Sequence, residues 1–182
     1  MNFAVNHNFE RFRPYLSVLA RCQHERRVQA KFDPSDVVQQ TLLQAHRAAD
    51  TFEGDNDAQR AAWLRQILVR TLQHELRDLG RDKRNVRREK SLQTNLDASS
   101  IRMENWLVDN QTPPPDRAEK NELLLQMAES LESLSEDQRE AIILHYLNGY
   151  KLAEIATQMN RSISSVAGLL HRGLAALRTA LR

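Results

Sequence analysis

Apolar side chains recur at intervals of three and four along the first eighty residues, a spacing that places them on one face of an α-helix. A first helix is predicted for residues 7–30, where the apolar positions are Phe9, Phe12, Leu16, Leu19 and Cys22. Pro34 interrupts it, and Asp33 or Ser35 is placed to cap a second helix that ends near Asp50. A longer third helix follows over residues 61–79 and is closed by Gly80.

Residues 91–115 lose this periodicity and are rich in Ser, Thr, Asn, Asp and Gln before three consecutive prolines at 113–115. Such a composition is typical of an irregular interdomain linker with a stiff end. Within it, Trp106, Leu107 and Val108 form an apolar island that indicates a short helix or a docking contact. The pattern divides the chain into an N-terminal helical domain, residues 1–90, and a C-terminal helical domain, residues 116–182.

The helical period returns after Asp116, and Ser135 is predicted to cap a segment that ends at Asn148-Gly149. Two further helices are predicted, over residues 152–159 and 163–181, with Asn160-Arg161-Ser162 as the turn between them. A short helix, a tight turn and a second helix form a helix-turn-helix, which is a DNA-binding motif. With only 5 Gly, 5 Pro and 5% aromatic residues, the composition also favours helix, so the predicted fold class is all-α.

The net charge of +2 is small, but the charges are unevenly placed. Residues 81–90 hold six basic side chains against two acids, and residues 161–182 hold four arginines and no acid. The single cysteine excludes an intramolecular disulfide, and no apolar run approaches the length of a membrane span. A cytoplasmic protein without membrane insertion is the expectation.

The front of the last helix supplies the candidate DNA-reading surface. If Ser162 is the N-cap, the positions that face away from the core are Ser164, Ser165, Ala167, Gly168, His171 and Arg172. Serine hydroxyls can bond to base edges and Ala167 can meet a thymine methyl group. Arg161, Arg172 and Arg178 are better suited to phosphates, which give affinity without sequence information.

Three segments in order resemble bacterial sigma factors of the sigma-70 family, in particular the small extracytoplasmic-function (ECF) group. The stretch from Leu134 to Ala141, with Glu154-Ile155-Ala156 and Arg172-Gly173-Leu174, is similar to the promoter-reading domain of these factors. Residues 36–41, DVVQQT, resemble the helix that binds core RNA polymerase, and residues 63–67, WLRQI, followed by Arg77, resemble the helix that opens the -10 element.

The resemblance implies a transcription initiation factor whose partners are core RNA polymerase and promoter DNA, with room for an anti-sigma factor. It implies polymerase binding by Asp36, Val37, Gln39, Gln40 and Leu43. It implies contact with the -35 element by the recognition helix and its turn, Arg161 to Arg172. Contact with the -10 element falls to Phe52, Asn56, Trp63, Arg70, His74, Arg77, Arg81 and Arg84.

The sequence departs from the family at several of these positions. Gln40 replaces a usual carboxylate, and Arg70 and His74 stand where Asn and Asp are common. Ala167, Gly168 and Leu169 replace the frequent Lys, Ser and Arg of the recognition helix. Fewer direct base contacts follow, so DNA shape is expected to matter more at the -35 element.

Three other classes of protein are alternatives, and the acid-free end of the chain argues against one of them, a helical adaptor that binds only protein partners. An enzyme needs a catalytic or ligand constellation, and the six scattered histidines, the absence of a Cys pair and the absence of a Gly-rich phosphate loop predict no catalytic, cofactor or metal site. The stronger alternative is a ligand- or partner-regulated helix-turn-helix regulator that binds an operator as a dimer, without polymerase.

Overall fold

The computed structural model describes residues 8–22, 33–79, 86–109 and 117–181. At 76–79, 86–91, 107–109 and 117–120 it describes the backbone only. Every regular element in these ranges is helical, as the all-α prediction requires. The α-helices are α1 (Arg13–Arg21), α2 (Pro34–Arg47), α3 (Asp57–Leu79), α4 (Val86–Asp109), α5 (Arg117–Ser133), α6 (Glu136–Ile142), α7 (Leu152–Met159) and α8 (Ile163–Ala180). Short 3-10 turns cover Phe9–Phe12 and Ala49–Thr51, and a π-helical turn, Ile143–Leu147, extends α6.

Two of the predicted helix caps are present. The Ser35 backbone N–H donates to Asp33 Oδ1 at 2.8 Å, and the Ser165 backbone N–H donates to Ser162 Oγ at 3.2 Å. Each bond satisfies a donor that the first turn of a helix leaves without a partner. Ser135 stands at the predicted N-cap position of α6, but its side chain makes no capping hydrogen bond.

The segment predicted as an irregular linker is largely helical, because α4 extends from Val86 to Asp109. Its buried residues, Leu96, Ser99, Ser100 and Met103, recur at intervals of three and four. Two of these are serines, whose small side chains allow close packing. Because serine is polar, the hydrophobic pattern of the sequence does not reveal this buried face. Tertiary packing thus overrides the weak helix propensity of Ser and Asn. The prolines at 113–115 lie outside the described residues.

Helix α4 is fixed to the N-terminal half through a buried polar cluster. The hydroxyls of Tyr15 and Ser100 are hydrogen-bonded at 3.0 Å, and Arg65 Nη1 donates to Tyr15 Oη at 2.9 Å. Tyr15 is fully buried, and burial raises the pKa of its hydroxyl. Arg65 also pairs with Asp97 on α4, with Nε and Oδ1 3.4 Å apart. The middle of α4 is therefore an integral part of the fold.

Replacing Tyr15 by phenylalanine is expected to lower the free energy of unfolding by about 1–2 kcal/mol, because the buried Ser100 and the partly buried Arg65 each lose a hydrogen-bond partner. Urea denaturation followed by circular dichroism measures the change. Tyr146→Phe is the matched control, since its half-buried ring stacks on Trp106 and keeps that contact without the hydroxyl. Equal stabilities for the two variants would show that the Tyr15 cluster contributes nothing to folding.

Candidate nucleic-acid interface

Helices α7 and α8 form the predicted helix-turn-helix. Asn160, in the left-handed conformation at φ 53°, ends α7, and the Arg161 backbone N–H donates to the Ala156 carbonyl at 2.9 Å. The buried side of α8 comprises Val166, Leu169, Leu170, Gly173 and Leu177. Most of the predicted DNA-reading residues fall on the other side, where Ser162, Ser164, Ala167, His171 and Arg172 are exposed and Ser165 and Gly168 are partly buried.

Two arginines of this surface have defined surroundings. Arg161 Nη2 donates to Asp137 Oδ2 at 2.5 Å, which ties the turn to α6. The Arg172 guanidinium lies over Gly168, because a Cβ atom on that glycine would be only 3.1 Å from Arg172 Nη1. The missing side chain at 168 therefore leaves room for a cation near the middle of the exposed face.

The loop before α3 brings aromatic and basic groups together. The ring centroids of Phe52 and Trp63 are 5.2 Å apart, and those of Trp63 and Phe9 are 5.4 Å apart. The Arg60 guanidinium is 5.5 Å from the centre of the Phe52 ring, a cation–π distance. The same ring lies against Gly54, where an added Cβ would clash with the end of the Phe52 ring, so glycine permits this close approach.

The other residues assigned to the -10 element have mixed surroundings. Asn56 is exposed but caps α3, since its Oδ1 accepts from the Gln59 backbone N–H at 2.9 Å. Arg70 and His74 are exposed on the same helix. The Arg77 side chain, and Arg81 and Arg84 altogether, lie outside the described residues, as does the predicted closing residue Gly80.

The predicted polymerase-binding residues lie on α2, whose inner side packs against α1 and α3. Asp36, Gln39, Gln40 and Leu43 are exposed, and Leu43 keeps 41% of its surface in solvent. Val37 differs, because it is 1% exposed and belongs to the hydrophobic core. The Val37 side chain therefore supports the helix from below and does not face a partner.

Arg60 was missed by the sequence reasoning, although it is the cation nearest to the aromatic group of the loop. The sequence offers one signal for Arg60: it is a basic residue one turn into the helix that follows a Gly- and Asp-rich loop. Glu132, Glu136 and Arg139 were also unassigned, and they form a charged cluster in which Arg139 is 8% exposed. Glu136 and Arg139 are an i,i+3 pair within α6, and Glu132 joins them across the break between α5 and α6.

The described part of the chain contains no group of three or more His, Cys, Asp or Glu side chains placed to hold a metal ion. Among the same residues, no helix combines the length and apolar character needed to cross a membrane.

Two family models match separate parts of the chain. Sigma-70 region 2 matches residues 9–82, and Sigma-70, region 4 matches residues 124–177. The ECF RNA polymerase sigma-E factor of Escherichia coli strain K12 is 30% identical over 149 residues, covering 80% of this chain and 72% of the relative. The chain belongs to the ECF sigma factors of the sigma-70 family.

A second relative agrees with this membership. The ECF RNA polymerase sigma factor SigX of Bacillus subtilis strain 168 is 28% identical over 151 residues, covering 83% of this chain and 72% of the relative. Among solved structures, the sigma factor RpoE of Bartonella quintana, in complex with the anti-sigma factor NepR, is 23% identical with a TM-score of 0.34, covering 95% of this chain and 93% of that chain.

As an ECF sigma factor, the protein is a transcription initiation factor that directs RNA polymerase to promoters. The family matches fall in both halves, whereas an independent regulator would need only the helix-turn-helix. The alternative of a dimeric regulator that acts without polymerase is therefore not favoured.

Proposed function

We propose that three surfaces divide the work of this sigma factor. The outer face of α2, from Asp36 to His46, binds core RNA polymerase. The exposed face of α8 with its preceding turn, from Ser162 to Arg172, reads the -35 element. The segment from Phe52 to Arg88 binds and opens the -10 element. On this proposal, the functional units are residues 1–90 and 116–182.

The single observation that best supports the proposal is the exposed face of α8. Its N-terminus is capped by Ser162, its opposite side is buried, and its outward residues, apart from the exposed Ile163, are mostly small or basic. Small side chains and a glycine allow the helix backbone to approach the floor of a major groove. The same face has few long side chains that can donate hydrogen bonds to bases. It is therefore better suited to positioning RNA polymerase on the promoter than to selecting a DNA sequence by itself.

At the -10 element, we propose that the Phe52–Trp63 pair and Arg60 receive an unpaired base of the opened strand. Taking a base out of the stack costs a few kcal/mol, which aromatic stacking and a nearby cation can offset. The exposed Arg70 and His74 extend the same helix face and are available for phosphates or base edges. Because both residues depart from the family pattern, base preference there is set by this chain's own side chains.

We further propose that the protein acts by binding and not by catalysis, in the cytoplasm, where polymerase and chromosome are. The expectation of an anti-sigma partner stays a prediction.

The most direct test is promoter-dependent initiation by the protein mixed with core RNA polymerase. In this assay Leu43→Asp is expected to weaken association with core polymerase at least about tenfold, because a charge replaces the apolar centre of the α2 face. The association can be measured by fluorescence anisotropy of labelled protein.

Ile101→Asp is the matched control for this experiment. Ile101 is also a large exposed apolar residue, 54% exposed on α4, but it lies outside all three proposed surfaces. If both variants bound core polymerase as tightly as the parent, the assignment of α2 would be wrong. If the parent itself failed to initiate, the proposed function would be wrong.

A further inference from the structure

A large apolar side chain lies in solvent at the start of the helix assigned to the -35 element. Ile163 is the first residue of α8, and 53% of its surface is exposed. Among the described residues, two other large hydrophobic side chains are exposed to a similar degree, Leu43 on α2 and Ile101 on α4. Of these three, Ile163 is the residue that belongs to the proposed -35 surface.

The position of Ile163 in the helix would ordinarily place it in the core. It precedes Val166 by three positions and Leu170 by seven, which is the spacing of one helix face. Val166 is fully buried and Leu170 is 7% exposed, but the buried side of α8 begins only at Val166. The apolar stripe of α8 therefore continues beyond the core, to the end of the helix where Ser162 and Ser164 are exposed.

The two serines on either side of Ile163 are bonded to the protein. Ser162 Oγ accepts from the Ser165 backbone N–H at 3.2 Å, and the hydroxyl oxygens of Ser162 and Ser164 are 3.0 Å apart. These bonds use part of the hydrogen-bonding capacity of both hydroxyls within the helix start itself. The Ile163 side chain between them can make only apolar contacts.

Ile163 has an exposed apolar neighbour one turn further along the helix. Ala167 follows it by four positions, a separation at which two side chains of a helix lie next to each other. In a helix-turn-helix, residues near the start of the second helix contact the edges of bases in the major groove. The apolar group that this groove presents is the C5-methyl group of thymine.

The surroundings of Ile163 and Ala167 favour DNA over a protein as their partner. Residues 161–182 include four arginines and no acid, a charge that suits a groove lined with phosphates. A protein partner of ordinary interface size would cover several hundred Å² on each side, with an apolar centre. Two small apolar side chains among serines and arginines make a contact of the size of a single base edge.

We propose that Ile163, with Ala167 beside it, selects a thymine in the -35 element by contact with its methyl group. This inference rests on the proposed assignment of the exposed face of α8 to the -35 element. Cytosine and uracil lack the methyl group, so they lose this apolar contact. Selection of this kind needs no long hydrogen-bond donor, and it therefore gives base preference to a face that has few of them.

Replacement of thymine by deoxyuridine tests the proposal, because it removes the methyl group and leaves base pairing intact. The probe is a promoter duplex selected by the holoenzyme from a library randomised over the -35 element, with each thymine of that element replaced in turn. For the parent, one such replacement is expected to weaken holoenzyme binding about fourfold, corresponding to about 0.8 kcal/mol for one buried methyl group.

The variant Ile163→Ala links this loss to the side chain. In its holoenzyme, the same replacement is expected to change binding by less than about twofold, because the methyl group no longer has its partner. Ile163→Val keeps a branched side chain and should retain most of the discrimination. Ile101→Ala is the matched control, since it removes an equally exposed isoleucine outside the proposed surfaces and should leave the full effect of deoxyuridine.

Three outcomes would overturn the inference. These are an equal effect of deoxyuridine in Ile163→Ala and the parent, no effect at any thymine in the parent, and a selected -35 element without thymine on either strand. Replacement of the whole -35 element separates this inference from the proposed function. If the parent holoenzyme binds equally well after that replacement, the assignment of α8 to the -35 element is itself wrong.

Discussion

Replacing Gly173 by valine is expected to lower the free energy of unfolding by about 1–3 kcal/mol, because α6 and α8 cross at this glycine. A Cβ atom at 173 would lie 2.6 Å from Ile142 Cδ1 and 3.5 Å from Gln138 Cβ. Ile142 is fully buried, so its side chain has little space into which it can move. Urea denaturation monitored by circular dichroism measures the change in the free energy of unfolding. Promoter binding should also weaken, because α8 no longer packs closely against α6.

Gly168→Ala is the matched control on the same helix. Gly168 lies on the outer side of α8. An added Cβ there would be closest to Nη1 of Arg172, which is the end of a flexible side chain. Alanine is a better helix former than glycine by roughly 0.5–1 kcal/mol, so this variant should be more stable than the parent. Opposite signs for the two substitutions are the expected result, and a stabilised Gly173→Val protein would contradict the described crossing of α6 and α8.

The helix-turn-helix could be predicted from the sequence because its signals are local. Val166, Leu169 and Leu170 repeat at helical spacing, and Ser162 precedes them in an N-cap position. The N-cap and the apolar stripe depend on residues only a few positions apart, so they can be recognised without knowledge of the tertiary structure. Asp33 at the start of α2 is a second case of the same kind.

Helix α4 could not be predicted in the same way, because its burial depends on distant residues. Ser99 and Ser100 look like loop residues until Tyr15, 85 positions away from Ser100, supplies a hydrogen-bond partner. The apolar island at Trp106 was predicted to be a short helix or a docking contact, and the stacking of Trp106 on Tyr146 agrees with a docking contact. The partner itself was not predictable, since ring stacking between separate helices leaves no spacing rule.

The proposed surfaces show the same division. Periodicity indicated which side of α8 is exposed, but the fold was needed to show that Val37 is core and that Arg60 lies on Phe52. The ion pair between Arg21 and Glu136 is the extreme case, because the two residues are 115 positions apart. Residues that make a chain a member of a family lie in local motifs, whereas those that set how its halves are held together are spread through it.

Arg172→Ala is expected to weaken promoter binding by the holoenzyme about 5- to 150-fold, corresponding to roughly 1–3 kcal/mol for one strong contact to DNA. Arg172 is exposed and its guanidinium lies over Gly168, in the middle of the proposed reading face. Affinities measured across a range of salt concentrations separate its two conceivable roles. A phosphate contact makes the slope of log affinity against log salt shallower by about 0.9. A base contact leaves the slope nearly unchanged but reduces the preference for the natural -35 sequence over a mutated one.

Arg13→Ala controls for the loss of one positive charge. Arg13 is exposed on α1, away from all three proposed surfaces, and is paired with Glu10. Its removal should alter neither the slope nor the sequence preference. If Arg172→Ala behaved like Arg13→Ala in both measurements, Arg172 would not contact the promoter, and the reading face would have to be sought nearer the N-terminus of α8, among Ser162, Ser164 and Ala167.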